Sequence, residues 1–363
     1  MFNFLTRGTA VAACSSLCLS LFLPFCAHAL EASFASTHAP IGIMGDHLHK
    51  KGEWMVSYRA MQMDMSGNLL GDASISDDDI VTSQPNRFAG MPMMPPTLRV
   101  VPQDMTTTMH MFGAMYAPTD NVTLVAMVNY LKKEMTLRTF QGGMGTNVLG
   151  DFKSESSGIG DTKLGVLYRL AEGETHRFHG NFTLSLPTGS ITEEGRPLTP
   201  MNMRPLRRLP YPMQLGTGTY DITPGVTYTG SAGIWAWGAQ ALYTLRTGEN
   251  DEGYTVGDES KLNTWLQLGF SEAVSGSLGL EHKSSDAIDG IDVAIALPVH
   301  TADPANSGRD LINVKLGVNT AFTRGALAGH RFAFEYVVPI EQDVNGLQME
   351  MQSMWTLGYQ KAF

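Results

Sequence analysis

The sequence predicts an all-β protein: an antiparallel transmembrane β-barrel of about twelve strands, with long outer loops and short periplasmic turns. Three observations carry that expectation. Apolar and polar residues alternate with period two over segments of about ten residues. The connections between those segments alternate between short and long, as barrels require and soluble sandwiches do not. The last segment ends on Phe363, with Trp355, Leu357 and Tyr359 on the same face. A terminal aromatic on an alternating strand resembles the signal that such barrels present to their assembly machinery.

The chain opens with Arg7, an apolar run from Val11 to Phe25, and the small–x–small triplet Ala27, His28, Ala29. This is the pattern of a signal peptide, and cleavage is expected after Ala29. The run is too short to span a bilayer as an anchor, and no later apolar run approaches the length of a transmembrane helix. Cys14, Cys18 and Cys26 all fall in residues 1–29, so the exported chain is expected to lack thiols and disulfides. Residues 30–51 are expected to be a periplasmic tail, and residues 52–363 the barrel.

Strands are expected at 53–65, 106–117, 122–135, 159–170, 176–187, 215–228, 234–246, 261–270, 274–284, 311–322, 330–340 and 350–363. Short turns fall near Pro118, Gly173, Ser231, Glu272 and Gly325. Long loops fall at 66–105, 136–158, 188–214, 247–260 and 285–310, with a medium one at 341–349. In the first strand Trp54, Val56, Tyr58 and Ala60 oppose Glu53, Met55, Ser57, Arg59, Met61, Met63 and Met65. In a late one Phe332, Phe334, Tyr336 and Val338 oppose Arg331 and Glu335. The aliphatic faces, with aromatics towards their ends, suit lipid contact and interfacial girdles. An even strand count puts both termini on one side.

Composition narrows the function classes. Only 17% of the 363 residues are charged and the net charge is −10. A disordered chain, a disulfide-stapled mini-protein and a coiled coil are excluded, and the acidic balance argues against any nucleic-acid partner. The expected setting is the outer membrane of a Gram-negative bacterium. The expected partners are outer-membrane lipid and lipopolysaccharide, the barrel assembly machinery through Phe363, and a small-molecule solute.

The inward faces carry Glu53, Arg59, Lys133, Asp161, Lys163, Arg169, Asp221, Arg246, Lys261, Glu281, Lys283, Lys315, Arg331 and Glu335. Charges of both signs imply a hydrated or salt-bridged interior, so these residues are the candidate pore lining. Twelve strands enclose less space than a porin, which favours a restricted channel. Residues 30–51 and the first loop are the candidates for closing it.

Three segments carry a family resemblance. Ser157, Gly158, Ile159, Gly160 and Asp161 lead into Leu164 and Tyr168; Leu184 to Gly189 reads Leu-Ser-Leu-Pro-Thr-Gly; Gly216 to Asp221 reads Gly-Thr-Gly-Thr-Tyr-Asp. Over roughly residues 155–363 the chain resembles an outer-membrane family named for the meta-pathway of phenol degradation. The resemblance implies a transport barrel for small, often aromatic, compounds. The Met-rich first strands depart from the family pattern.

Methionine is the compositional anomaly, with 22 residues. Between Ser157 and Gln348 only Met201, Met203 and Met213 occur, in one loop. By parity Met55, Met61, Met63, Met65, Met109, Met111, Met115, Met127, Met135 and Met354 face inward, on strands that adjoin once the barrel closes. Thioethers there offer a pliable, weakly polar lining. They also offer soft ligands, so Met61, Met63, Met65, Met109, Met111 and Met115, with His47 and His49 at the mouth, are candidate sites for copper as Cu(I). His110 has the opposite parity. Asp77, Asp78 and Asp79 read as a solvated acidic loop or a divalent-cation site.

No catalytic residues are assigned. His179, Ser185 and Asp161 share a face, but Ser185 is six residues from His179, roughly 20 Å along a strand. No nucleophile elbow or phosphate loop is present. The sequence reads as a passive channel or transporter for a small, hydrophobic or aromatic solute, with no cofactor. A copper-handling Met-rich barrel and a structural or adhesive barrel are the alternatives.

Overall fold

A computed structural model describes residues 35–363; the expected signal peptide lies outside the described residues. The barrel strands are β1 Trp54–Leu70, β2 Val100–Thr119, β3 Val122–Phe140, β4 in two pieces (Val148–Ile159 and Thr162–Glu172) and β5 His176–Leu186. They continue as β6 Tyr220–Ala232, β7 Trp235–Thr247, β8 Glu259–Gly269, β9 Val274–Ser285, β10 Arg309–Ala321, β11 His330–Val344 and β12 Leu347–Ala362. Each pairs antiparallel with its neighbours, and β12 pairs with β1 from Met55↔Ala362 to Leu70↔Leu347, closing a twelve-stranded barrel. The closure is sealed at its lower end by reciprocal backbone bonds between Trp54 and Phe363.

Parity places the faces as alternation requires. Val56, Phe112, Leu124, Val128, Leu164, Phe182, Val226, Leu262, Leu278, Leu316, Phe334 and Leu357 project from the outer wall. Arg59, Thr107, Asn181, Gln240, Asn263, Asn319 and Glu335 are buried within. Aromatic contacts gather towards the short-turn end, where Trp54 packs tilted against Tyr116 with ring centroids 4.5 Å apart, and Phe178 against Tyr228 at 4.7 Å.

Two expected loops are instead strand. β3 and β4 extend to Phe140 and Val148, so the loop expected at 136–158 shrinks to 141–147. β11 and β12 meet in a hairpin at 345–346 with Gly346 at φ 63°, in place of a loop at 341–349. Here the strands rise beyond the apolar belt, and their outer faces carry ion pairs such as Arg138–Asp151 and Lys132–Glu134. With no lipid to contact, the outer face loses the alternation that marks a strand in the sequence.

The acidic triplet opens a helix. α1 (Asp77–Ser83) has Ser76 as N-cap, accepting from the Asp79 amide at 3.2 Å. Carboxylates in a first turn favour the positive helix end, and Asp77 also accepts from Gln103 at 2.8 Å. Ile80 and Val81 pack on Leu98, Val101, Phe140 and Leu347. Arg99, wholly buried, donates to the carbonyls of Gln141, Gly142, Met144 and Gly145 and shapes the β3–β4 turn.

The long loops do not stand open. Phe88, Leu198, Leu209, Tyr211, Met213, Tyr254, Ile295, Leu297 and Val299 form one apolar cluster with Met65, Met105, Met135 and Met349 of the inner wall. They roof the lumen. His300 is buried in this roof, and burial lowers its pKa to about 3.

At the other end residues 35–51, expected as part of a periplasmic tail, enter the lumen with residues 52–53 as a hairpin. It goes in beside β8 and β9, where the Ala35 amide donates to the Glu272 carbonyl, turns at 40–43, and returns to β1 past Thr123.

Candidate functional site

The lumen has two unlike walls. Register makes the first a methionine ladder across β12, β1, β2 and β3. One row reads Met351, Met65, Met105, Met135; the next, Met354, Met63, Thr107, Lys133; the next, Thr356, Met61, Met109, Leu131. Arg59 and Met111 follow, and Met55 and Met115 lie lowest, in a cluster with Leu167 of β4. Neighbouring strands stand about 4.8 Å apart, so thioethers in a row touch. Met105 and Met351, absent from the expected inward set, complete the upper row. β12 shifts register opposite Asp64 and Met65, which turns both Met351 and Met354 inward although their parities differ. His110 faces out as expected and meets the Tyr58 hydroxyl at 2.7 Å.

The second wall, β5 to β11, is polar and internally paired. Asn181, Thr227 and Gln240 form one hydrogen-bonded run, and Asn319 donates to Gln267 at 2.8 Å. Lys315 lies 3.5 Å from both Glu281 and Glu335 and donates to Asn263 at 3.1 Å. Glu259 pairs with Lys261 and Lys283 at 3.3 and 2.8 Å. Arg246 meets Asp221 at 2.6 Å.

Not every charge expected in the pore lines open space. Lys133 is bound to the carbonyls of Pro212 and Gln214, anchoring the loop between β5 and β6. Glu53 and Arg169 sit at the short-turn rim: Glu53 accepts from the Lys50 amide, and Arg169 pairs with Glu172 and the Asp120 carbonyl. Lys163 pairs in register with Met127 on one side and Ser185 on the other, where the two walls meet.

The hairpin 35–53 closes the short-turn end, held chiefly by the polar wall and reaching β3 through the His49 amide and Thr123. Its carbonyls accept from Gln267 (at Ser36 and His38), Asn319 (at His38), Arg331 (at Ala39), Gln240 (at Met44), and Asn181 and His179 (at Gly45). Each such bond contributes about 0.5–1.5 kcal/mol, and more where Arg331 donates, so together they hold the hairpin without a large apolar contact. Ala39 and Ile43 pack on Trp265. His47 and His49 thus lie inside the barrel rather than at an open mouth, and His49 is only 5% exposed. Two partners were not singled out from the sequence: His38 and Asp46. Burial, then Arg331, lowers His38 to about 3; burial raises Asp46, but His47 beside it holds it well below the usual carboxylate range. Three histidines and an aspartate within residues 38–49 were the available signal.

The three motifs behind the family resemblance converge on one point of the wall. Asp161 accepts from the amides of Gly189 and Thr217 at 2.9 and 2.8 Å, and Thr188 donates to the Gly160 carbonyl at 2.8 Å. Thr217 and Thr219 in turn bond Asp221. Here β4 breaks: below Asp161 it pairs with both β3 and β5, above it Val148–Ile159 pairs with β3 alone. Gly160 suits the break, since a Cβ would press on Asn129 and Leu131. The loop 187–219 turns inward behind the unpaired edge, where Ser156 donates to the Met213 carbonyl at 2.6 Å.

Between that edge and the roof lies a small apolar pocket, with about 30 Å³ of free volume, lined by Val100, Leu137, Phe152, Leu198, Leu209 and Val299 among others. Leu137, Leu198, Leu209 and Val299 of this lining share one apolar cluster with Met65, Met105 and Met135, so the pocket adjoins the top of the ladder. A second small cavity, of about 20 Å³, lies at the short-turn end beside the hairpin, between Ser36, Arg177, Trp237 and Gln267. His179 and Ser185 remain apart, one bound to Gly45 and the other beside Lys163.

No protein-family model and no curated protein matches the chain. Among solved structures, an outer membrane channel from Pseudomonas putida F1 matches with a TM-score of 0.56 at 15% identity, over 88% of this chain and 98% of that one. The toluene transporter TbuX of Ralstonia pickettii matches more weakly, with a TM-score of 0.42 at 12% identity over 87% of this chain and 90% of that one. The first likeness is one of fold.

Proposed function

We propose that the protein is a passive channel of the bacterial outer membrane for a small apolar solute, aromatic compounds included, and that it performs no covalent chemistry. The observation that carries this reading is the apolar continuity from the roof pocket onto the methionine ladder, on one side of a lumen whose other side is internally paired. A thioether wall adapts to flat or irregular apolar molecules at little desolvation cost, whereas a sugar would find few free hydrogen-bonding groups there. The pocket is the site of capture in this reading, and the ladder and the unpaired edge of β4 lead away from it. The outer belt and girdle support membrane residence, with lipid and lipopolysaccharide as neighbours. Phe363, 65% exposed at the end of β12, supports recognition by the assembly machinery.

Permeation into liposomes holding the purified protein tests this reading. Measured as the increase over protein-free liposomes, phenol entry is expected to be accelerated more than pentose entry; no protein-dependent increase for phenol would count against an apolar path.

A second reading, Cu(I) handling, is favoured by one observation: Met351, Met65, Met105 and Met135 stand in a single cross-strand row. Three of these also pack with Phe88, Leu198 and Leu297 in the roof cluster, as packing residues do. Cu(I) binding that survives substitution of Met65, Met105 and Met135 by Leu, in addition to Met61 and Met63, removes this reading.

A further inference from the structure

The hairpin in the lumen carries three imidazoles and a carboxylate that the channel reading does not use. His38 lies on the arm that enters the barrel; Asp46, His47 and His49 lie on the arm that leaves. One ligand atom each from His38, Asp46 and His47 lies within 4.8 Å of the others. The His38 and His47 ring centroids are 5.1 Å apart, and those of His47 and His49 are 4.8 Å apart. Asp46 already joins the arms: one carboxylate oxygen accepts from the Ala39 amide at 3.0 Å, and the other lies 3.0 Å from His47 Nδ1.

We propose that His38, Asp46 and His47 form a site for a divalent transition cation such as Zn²⁺, which clips the two arms of the hairpin together inside the barrel. The donor set selects the class of ion. Two imidazole nitrogens and one carboxylate oxygen suit Zn²⁺, Cu²⁺ or Ni²⁺, whereas Mg²⁺ and Ca²⁺ take oxygen and Cu(I) takes sulfur. Bonds of about 2.0–2.2 Å place the ligand atoms of a tetrahedral ion roughly 3.3–3.6 Å apart, so side-chain rotation of about an ångström closes the site. His49, adjacent to His47, or a water completes the coordination. Arg331 contributes positive charge nearby, which the buried Asp46 carboxylate offsets. An ion that binds only the folded hairpin stabilises it by mass action.

The site is independent of the solute and of the thioether wall, and its test is kept separate from both. Full-length protein in detergent, stripped with chelator, is titrated with Zn²⁺ by calorimetry. One equivalent is expected. His38→Ala combined with His47→Ala is expected to abolish it, and the milder His38→Gln with His47→Gln to do the same with the hydrogen-bonding volume kept. Met61→Leu with Met63→Leu is expected to leave it unchanged. Bound Cu²⁺ should show nitrogen hyperfine splitting from imidazole in its electron paramagnetic resonance spectrum. Heat-modifiable gel migration establishes that each variant is folded. No binding by the wild type, or equal binding by the folded Gln variant, overturns the proposal.

Discussion

Gly42, at the tip of the hairpin, lies against the Glu335 carboxylate with no room for a side chain: a Cβ built on it overlaps Oε1 and lies 3.2 Å from Lys315 Nζ. Glu335 is 1% exposed and held by Lys315, so it has little freedom to yield. The tip of the closure is therefore fitted to the ion-paired wall. Gly42→Leu is expected to unseat the hairpin while the barrel stays folded, and single-channel conductance in planar bilayers should rise several-fold. Conductance equal to that of the wild type would mean that the hairpin does not close this end.

The methionine ladder is expected to work as an apolar surface. Met109→Leu conserves volume and polarity, costs less than about 1.5 kcal/mol, and should leave phenol permeation within a small factor of wild type. Met109→Asp places a charge on the same wall and should depress permeation strongly. Liposome assays on both variants check this; loss of transport in the Leu variant would point to a role for sulfur itself.

The roof should loosen in acid through His300. Its pKa in the fold is lowered to about 3 by burial, below the ordinary 6.5. The unfolded roof therefore binds more protons. Stability from this group is complete above pH 6.5 and is lost as the pH falls towards 3, by about 1.4 kcal/mol per pH unit. Limited proteolysis of the loop 286–308 at pH 7 and pH 5 should show faster cleavage in acid, and His300→Leu should reduce the difference. His38 and His49 titrate elsewhere in the barrel, so the variant isolates the contribution of the roof.

Arg99 should resist its conservative replacement. Its guanidinium serves four carbonyls of the β3–β4 turn and one on α1, and its Cζ lies 5.7 Å from the centroid of the Phe140 ring. A lysine ammonium cannot reach that fan of acceptors. Arg99→Lys is expected to speed amide hydrogen exchange across 141–147, with the exchange of β8 and β9 unchanged.

What the sequence made legible follows from the physics of each region. Strand parity was readable wherever one face meets lipid and the other the lumen, which is why Arg59, Lys315, Arg331 and Glu335 were placed inward from alternation alone. The ladder was readable for the same reason, except at Met351, where a bulge resets parity, and at Met105, above the belt. Above the lipid the alternation ends, so the upper ends of β3 and β4 read as loop. Residues 30–51 were a candidate for closing the lumen, but the course of the hairpin 35–53 was not legible, because its hold on the barrel is made by backbone carbonyls, which carry no sequence signal. The motifs ending in Asp161, Gly189 and Asp221 could be recognised, but only the fold brings them together at the break in β4.

The central claim, that solute enters through the roof pocket and follows the thioether wall, is tested most directly by filling the pocket. Leu198→Trp puts an indole at the pocket from the loop between β5 and β6, with the sequence of the barrel strands unchanged. Phenol permeation into liposomes should fall about tenfold or more against wild type, the equivalent of about 1.4 kcal/mol on the rate-limiting step, while residual ion conductance stays the same. Unchanged phenol permeation in the folded variant would contradict the account.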